Sequence, residues 1–437
     1  INMRIIGTVV LVFGMLFSSA QDVLLLENAM KIALENNLGV KMTINQKQQA
    51  ENIATYGNAG LLPKADLNGG VSLSATNSNL EFAGGTPPIE DVAAQSLSYN
   101  GGLGVSYAVF NGLGSLNTFK KLKSQVDIAG IQLNLNIEST LLQVCNVYYE
   151  VARQQQQLRI AKNSLDISRE RYERVKVGLE YGTVSSLDVL NAEVDMNADS
   201  SNVLNMDVGL KNAKRNLNVL LSREVTAQYE VSEVLVVDDA RTIEAIQQKA
   251  LNNNTNLLLA QSNISIAEFD QKIQQAFYMP RVSVNASYGY NYSESNASLI
   301  LSQSSLGFTG GATLAWSLFD GFKKKTAIQN AQIALETNQL KVDEAKLTVE
   351  RDVLNAFDLF QNSIILLKVE ERSVAAAQLN FDRSKELFNQ GQITTTDFRQ
   401  AQLNLNRAKS RLNTANFITK MAEIELIRLS GELISVG

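Results

Sequence analysis

Residues 282–292 read VSVNASYGYNY, and every second position is apolar: Val282, Val284, Ala286, Tyr288, Tyr290 and Tyr292, separated by Ser283, Asn285, Ser287, Gly289 and Asn291. A period of two sends alternate side chains to opposite faces, which makes this stretch a β-strand with one apolar and one polar face. Leu306, Phe308, Gly310, Ala312, Leu314, Trp316 and Leu318 repeat the pattern. Earlier copies run through Leu67, Val71 and Leu73 and through Tyr99, Leu103, Val105, Tyr107 and Val109. Such strands suit a barrel wall with lipid outside and water inside. A soluble sandwich edge, or a Ser/Gly-rich linker for the earlier pair, would alternate too. The aromatic residues Tyr288, Tyr290, Tyr292 and Trp316 favour the barrel, where they fit the belt at the lipid interface. Tyrosines pointing into the lumen would require a register slip of one residue.

The remainder reads as helix, and it occurs twice. Pro63 and Pro280 each open a strand pair, closed by Phe110-Asn111-Gly112 and by Phe319-Asp320-Gly321. From Gly112 to Gly182 is 70 residues, and from Gly321 to Gly391 is also 70. The second glycine of each pair opens a turn that ends on an aspartate, Asp188 or Asp397. Four matches in one order make a duplicated domain half rather than a short solenoid unit. Between the glycines apolar residues keep steps of three and four, from Phe119 to Val175 and from Ile328 to Phe388, the seam that coiled-coil packing needs. About 65 residues at 1.5 Å each make a rod of roughly 100 Å. Glu27 to Gly60 is expected to be one helix, and Ser185 to Leu220 another that runs back along the rod.

Composition removes several chemistries. The chain of 437 residues has no histidine, one cysteine (Cys145) and four prolines. Its 39 basic and 44 acidic residues give a net charge of −5, which argues against nucleic acid as a partner. Without histidine the commonest general base and metal ligand are missing. No catalytic, cofactor-binding or metal site is expected, and no G-x-S-x-G or S-x-x-K motif supports an envelope hydrolase. Residues 1–20 read as a signal peptide: Arg4, the apolar run Ile5 to Phe17, then Ser18-Ser19-Ala20. That run is shorter than the roughly 20 residues needed to span a bilayer.

Four strands cannot close a barrel, and an open sheet edge cannot face lipid. The chain must therefore share its barrel with copies of itself, and helices with polar inner faces would extend that barrel as a conduit. From Glu27 to Glu432 the sequence resembles the TolC-like outer-membrane efflux and secretion proteins. The resemblance is carried by the turns Gly182-Thr-Val-Ser-Ser-Leu-Asp188 and Gly391-Gln-Ile-Thr-Thr-Thr-Asp397, by the strand-to-helix corners, and by the helix-Pro-strand junctions.

The resemblance implies a mainly α chain with transmembrane β: a duplicated α-hairpin coiled-coil barrel plus four strands contributing to a shared trimeric 12-stranded β-barrel. The expected division is a first repeat over 21–222 (strand pair 63–111, long helix 113–180, helix 183–221), a linker or equatorial segment over 223–241, a second repeat over 242–432 (strand pair 280–320, long helix 322–389, helix 392–430) and a tail over 433–437. Val225 to Val237 is expected to hold a short strand, and Gly84 to Asp91 an exterior loop. The implied function is a passive outer-membrane duct for small molecules or polypeptide. Its implied partners are a periplasmic adaptor and an inner-membrane pump of the RND or ABC type. A structural coiled-coil adhesin or adaptor is the alternative; it accounts for the seams but not for the strands. Asp188 and Asp397 fall at the implied periplasmic gate, where three copies of each would form an acidic ring. The other reading is that both aspartates cap their helices. Gln400, three residues after the second aspartate, stands where the resemblance to the best-studied member implies a further acid. Gly182, Thr183, Val184 and Ser185, with Gly391, Gln392, Ile393 and Thr394, are the candidate adaptor contacts.

Overall fold

A computed structural model describes residues 23–81, 83–84, 87, 89–238, 240–296 and 300–436. The expected signal peptide lies outside the described residues, as does part of the exterior loop. The chain begins with β1 (Val23–Leu24), α1 (Leu26–Asn36), α2 (Leu38–Ile53), β2 (Lys64–Leu80), β3 (Ile89–Phe110), α3 (Gly114–Glu180) and α4 (Ser186–Leu220). It continues with β4 (Glu230–Val231), α5 (Ile243–Asn253), α6 (Thr255–Ala276), β5 (Arg281–Ser295), β6 (Ser302–Ala315), α7 (Lys323–Asn389), α8 (Thr395–Leu429) and α9 (Leu433–Val436). The repeat is visible in element lengths: α3 and α7 each have 67 residues, α4 and α8 each have 35.

By contacts the described chain forms two compact units, each drawn from both halves. One holds residues up to Lys41, Asn136–Ala250 and those from Arg351 on; the other holds Met42–Leu135 and Leu251–Glu350. The second unit contains an antiparallel sheet in the order β2-β3-β5-β6. Its register stacks like with like. Leu67, Leu103, Tyr288 and Phe308 form one cross-strand row on the apolar face, and Val71, Tyr99 and Tyr292 line up in another. On the opposite face Asn68, Gly102, Gly289 and Gly307 align, next to Gly70, Asn100, Asn291 and Ser305. Tyr99 and Tyr292 stack with centroids 4.5 Å apart. Each strand exceeds the 9–11 residues that a bilayer needs. Among the described residues the outer edges of β2 and β6 pair with nothing. The sheet also ends earlier than its alternation suggested: β6 stops at Ala315, so Trp316 and Leu318 lie beyond it. Ile89 to Asp91, expected in the loop, belong to β3.

The expected single helix from Glu27 to Gly60 is broken, and so is its counterpart in the second half. At each break an asparagine side chain caps the helix that follows. Asn37 Oδ1 accepts from the Gly39 and Val40 amides at 2.8 and 3.2 Å, and Asn254 Oδ1 accepts from those of Asn256 and Leu257 at 3.1 and 3.3 Å. Asn37 also donates to the Leu220 carbonyl at 2.8 Å, which holds the break against the end of α4.

The first unit's core joins Met30, Ala33, Leu141, Val144, Cys145, Tyr148, Leu217, Leu221 and Tyr229 to Ile424 and Ile427. Burial pushes the Cys145 thiol up to about 11, so it packs as an inert apolar group. The strand expected within Val225–Val237 is only two residues long. It pairs in parallel with β1, which the sequence reading missed because two residues show no period. The Tyr148 hydroxyl donates to Leu24 O at 2.8 Å and accepts from Ser232 N at 3.1 Å, locking this small pair onto α3.

The strand-to-helix corners are each made by two consecutive left-handed residues, Gly112-Leu113 (φ 66 and 65) and Gly321-Phe322 (φ 70 and 68). The sites differ in one respect. A Cβ on Gly112 would lie 2.5 Å from Ala276 O and 2.7 Å from Met279 Cβ, whereas one on Gly321 meets nothing within 4 Å. Gly321→Ala should therefore cost only the left-handed penalty of about 1–2 kcal/mol. Gly112→Ala should lower the melting temperature followed by circular dichroism several degrees further. Equal shifts would contradict this account of the corner.

Candidate functional site at the helical turns

Both long helices end the same way. Gly182 (φ 68) and Gly391 (φ 72) sit just past α3 and α7, where a left-handed backbone reverses the chain. Thr183 N bonds to Gly178 O at 2.9 Å and Gly182 N to Leu179 O at 3.0 Å. Gln392 N and Gly391 N repeat these bonds to Leu387 O and Phe388 O at 2.8 and 3.1 Å. These are Schellman closures. The next helix then opens with a capping box. Asp188 N bonds to Ser185 Oγ at 3.2 Å, while the Ser185 amide and hydroxyl donate to Asp188 Oδ2 at 3.1 and 2.6 Å. Thr394 and Asp397 do the same at 3.1, 3.3 and 2.7 Å.

This geometry corrects the capping reading of the aspartates. The N-caps are Ser185 and Thr394, and Asp188 and Asp397 sit three residues inside, where each carboxylate reaches back to the N-cap amide. Hydrogen bonds from the Ser185 side chain and backbone hold the Asp188 carboxyl below its ordinary value. It stays charged near neutral pH. Asp397 is exposed and Asp188 partly exposed, and both accept these bonds through Oδ2. Gln400 donates to Asn404 Oδ1 at 2.9 Å on the same helix.

The ends of α3 and α7 are tied together. Arg174 donates to Asn389 Oδ1 and to Asn389 O, both at 2.6 Å, and its guanidinium lies 5.6 Å from the Phe388 ring. Phe388 stacks on Phe398 at 4.8 Å, and Phe398 on Phe381 at 5.5 Å. Thr183 Oγ1 bonds to Gly178 O at 3.0 Å, and Ile393 packs against the buried cluster of Phe381, Phe398 and Leu405.

A buried polar cluster behind the turns was not anticipated. Arg171 on α3 is 2% exposed; it pairs with Asp195 on α4 at 2.6 Å and reaches Thr395 O on α8 at 3.4 Å. Arg399 on α8 grips Asp199 on α4 with two bonds, 2.7 and 3.1 Å. Ser164 donates to Asp199 at 3.2 Å, and Ser168 donates to it through a short bond. Gln402, fully buried, donates to Ser164 O at 2.8 Å, and Asn406 to Ser164 Oγ at 2.7 Å. Burial alone would raise the Asp199 carboxyl, but the Arg399 guanidinium and the serine hydroxyls more than reverse this and hold it low. The cluster was legible in principle. Ser164, Ser168 and Arg171, Asp195 and Asp199, and Thr395, Arg399, Gln402 and Asn406 each keep steps of three and four. A search for apolar seams passes over polar residues at seam spacing.

The expected interface aromatics fall at two levels. Tyr288, Tyr290 and Tyr292 share the apolar sheet face, and Tyr292 OH donates to Glu294 at 3.0 Å. Trp316, beyond β6, donates its indole N–H to Tyr278 O at 3.0 Å. Roughly 40 Å of strand separates Trp316 from Tyr292. No helix among the described residues is long and apolar enough to cross a membrane.

Removing Arg399 strands a largely buried Asp199, which typically costs about 3 kcal/mol. Arg399→Ala should therefore strip hydrogen-exchange protection from the start of α8 while helix content by circular dichroism stays near wild type. The folded-state value of Asp199 is depressed. Its stabilisation is therefore complete above the ordinary carboxylate value of about 3.9 and is lost as pH falls through the folded value. Protection of α8 should survive to about pH 4 and fall below it, and in Asp199→Asn this acid step should vanish.

The family model described as outer membrane efflux protein matches residues 29–223 and 246–432. Outer membrane protein TolC of Vibrio cholerae serotype O1 is 24% identical over 410 residues, 92% of this chain and 89% of that protein. Outer membrane efflux protein BepC of Brucella suis biovar 1 is 27% identical over 218 residues, 49% of this chain and 44% of its own. In fold, the Campylobacter jejuni CmeC outer membrane channel aligns with a TM-score of 0.77 at 14% identity, over 93% of this chain and 85% of that one. VceC from Vibrio cholerae aligns with a TM-score of 0.72 at 16% identity, over 93% and 96%. With a duplicated helical hairpin, a four-stranded sheet split by register into apolar and polar faces, and a family match across both halves, the chain belongs to the outer membrane efflux protein family, as an outer-membrane exit duct for efflux or secretion that extends into the periplasm.

Proposed function

We propose that three copies of this chain assemble into one duct, with twelve strands closing a barrel in the outer membrane and the helical hairpins continuing it as a periplasmic tunnel. The observation that carries this reading is the pair of unpartnered sheet edges on β2 and β6, which hydrocarbon would leave without hydrogen bonds. A second feature supports it. Ile333, Leu340, Leu347 and Leu354 on α7 are seven residues apart and 59, 68, 68 and 46% exposed, a heptad stripe separate from the buried seam of Val342, Val349, Val353 and Phe360. A neighbouring copy of the chain would cover it.

In this assembly the turns at Gly182–Ser185 and Gly391–Thr394 form the periplasmic tip. They meet a periplasmic adaptor, which couples the duct to an RND or ABC pump in the inner membrane. Asp188 and Asp397 ring the gate as charged carboxylates and favour cations, with the neutral Gln400 weakening any divalent site. The duct is passive for small molecules or polypeptide, and the pump sets the cargo. Tyr288, Tyr290, Tyr292 and Trp316 mark the lipid interfaces.

Unheated electrophoresis should show a species of three chains in the outer-membrane fraction. A monomer recovered from the soluble periplasm would remove the duct model. In planar bilayers the double variant Asp188→Ala/Asp397→Ala should lose cation selectivity; unchanged selectivity would take both residues out of the gate.

A further inference from the structure

The end of the sheet that carries the helices bears a concentration of positive charge at odds with the rest of the chain. Residues 114–126, 277–281 and 316–326 hold seven basic side chains, Lys120, Lys121, Lys123, Arg281, Lys323, Lys324 and Lys325, against the single acid Asp320, in a protein of net charge −5. Helix polarity makes this costly in isolation. A helix N-terminus is already partially positive, yet α3 and α7 have no acid in their first turns, and α7 opens on three consecutive lysines.

The three segments meet in space. A cavity of about 360 Å³ is lined by Asn111, Ser115, Thr118, Phe277, Arg281 and Lys324 among others. Lys324 Nζ bonds to Ser317 O at 2.6 Å and lies 5.8 Å from the Tyr278 ring, and Lys121 pairs with Asp270 at 2.6 Å. Lys120, Lys323 and Lys325, by contrast, are exposed and have no ion-pair partner among the described residues. Around them apolar groups project outward: Phe319 is 75% exposed, Leu318 80%, Phe322 64% and Trp316 59%. Aromatic rings beside unpaired lysines on flexible apolar stems are what a headgroup layer accepts, with rings at the ester level and ammonium groups reaching to phosphate.

We propose that this girdle binds anionic phospholipid in the periplasmic leaflet of the outer membrane, with Lys120, Lys323 and Lys325 contacting headgroup phosphate and Trp316, Phe319 and Phe322 seated among the upper acyl chains. The assignment rests on the outer-membrane placement of the sheet, because its helix-bearing end then lies at the periplasmic leaflet. It goes beyond that placement by naming the lipid charge and the residues that select it.

The test uses the full chain reconstituted in phosphatidylcholine vesicles, with spin-labelled phosphatidylglycerol or spin-labelled phosphatidylcholine as probe. Wild type should hold phosphatidylglycerol several-fold more strongly than phosphatidylcholine at low salt, with the preference shrinking toward one at 0.5 M sodium chloride, where the screening length is only a few ångströms. Lys120→Gln/Lys323→Gln/Lys325→Gln should abolish the preference at low salt while single-channel conductance stays unchanged. Equal association of the two lipids with wild type overturns the proposal, even if the variant fails to fold. So does a preference that survives in a folded, conducting variant. A protein that conducts in no bilayer would instead count against the duct reading itself.

Discussion

Each residue of a β-strand carries an N–H and a C=O that must be paired, and within hydrocarbon only protein can pair them. Among the described residues there is one four-stranded sheet, and both of its edges lie open. Its two faces are sorted row by row, with Leu67, Leu103, Tyr288 and Phe308 on one side and glycines, serines and asparagines on the other. A sheet sorted in this way is half of a solution: its faces already suit lipid and water, but its edges require more strands. The proposed trimer follows from that deficit.

The duplication is not a perfect symmetry. The turn glycines are offset by 209 residues, Gly182 to Gly391, and both capping boxes obey this offset. The buried polar cluster does not. Under the same offset Arg399 corresponds to Leu190, Asp199 to Ala408 and Arg171 to Asn380. This charged linkage therefore binds α8 to the α3–α4 hairpin, and the residues at the corresponding positions of the other half carry no charge. Ion pairs this well buried lend little net stability over an apolar core but penalise misalignment severely. They fix one arrangement of the three helices rather than adding strength. The cluster lies directly behind the turns, the part of the molecule where the proposed gate and adaptor contacts fall.

Strong local periodicity was readable, and features set by single residues were not. The long helices run over Gly114–Glu180 and Lys323–Asn389, where apolar spacing persists over dozens of positions and glycine closes each one. The breaks at Asn37 and Asn254 were missed because asparagine is tolerated inside a helix as well as favoured at its start, and only the tertiary contact of Asn37 with Leu220 O selects the second role. Trp316 continued an alternating pattern on paper, yet its indole is taken by Tyr278 O just beyond the sheet. The aspartates of the turns were recognisable as paired positions, but their capping geometry needed backbone coordinates.

By itself the sequence determined the repeat, the sorting of the strand faces and the length of the helices, because each follows from a spacing that local geometry enforces. Only the tertiary structure decided which polar residues meet behind the turns, where the shorter helices break and which charges remain unpaired beside the sheet. Those outcomes depend on which neighbours compete for each donor and acceptor, and such competition exists only once distant segments are packed together.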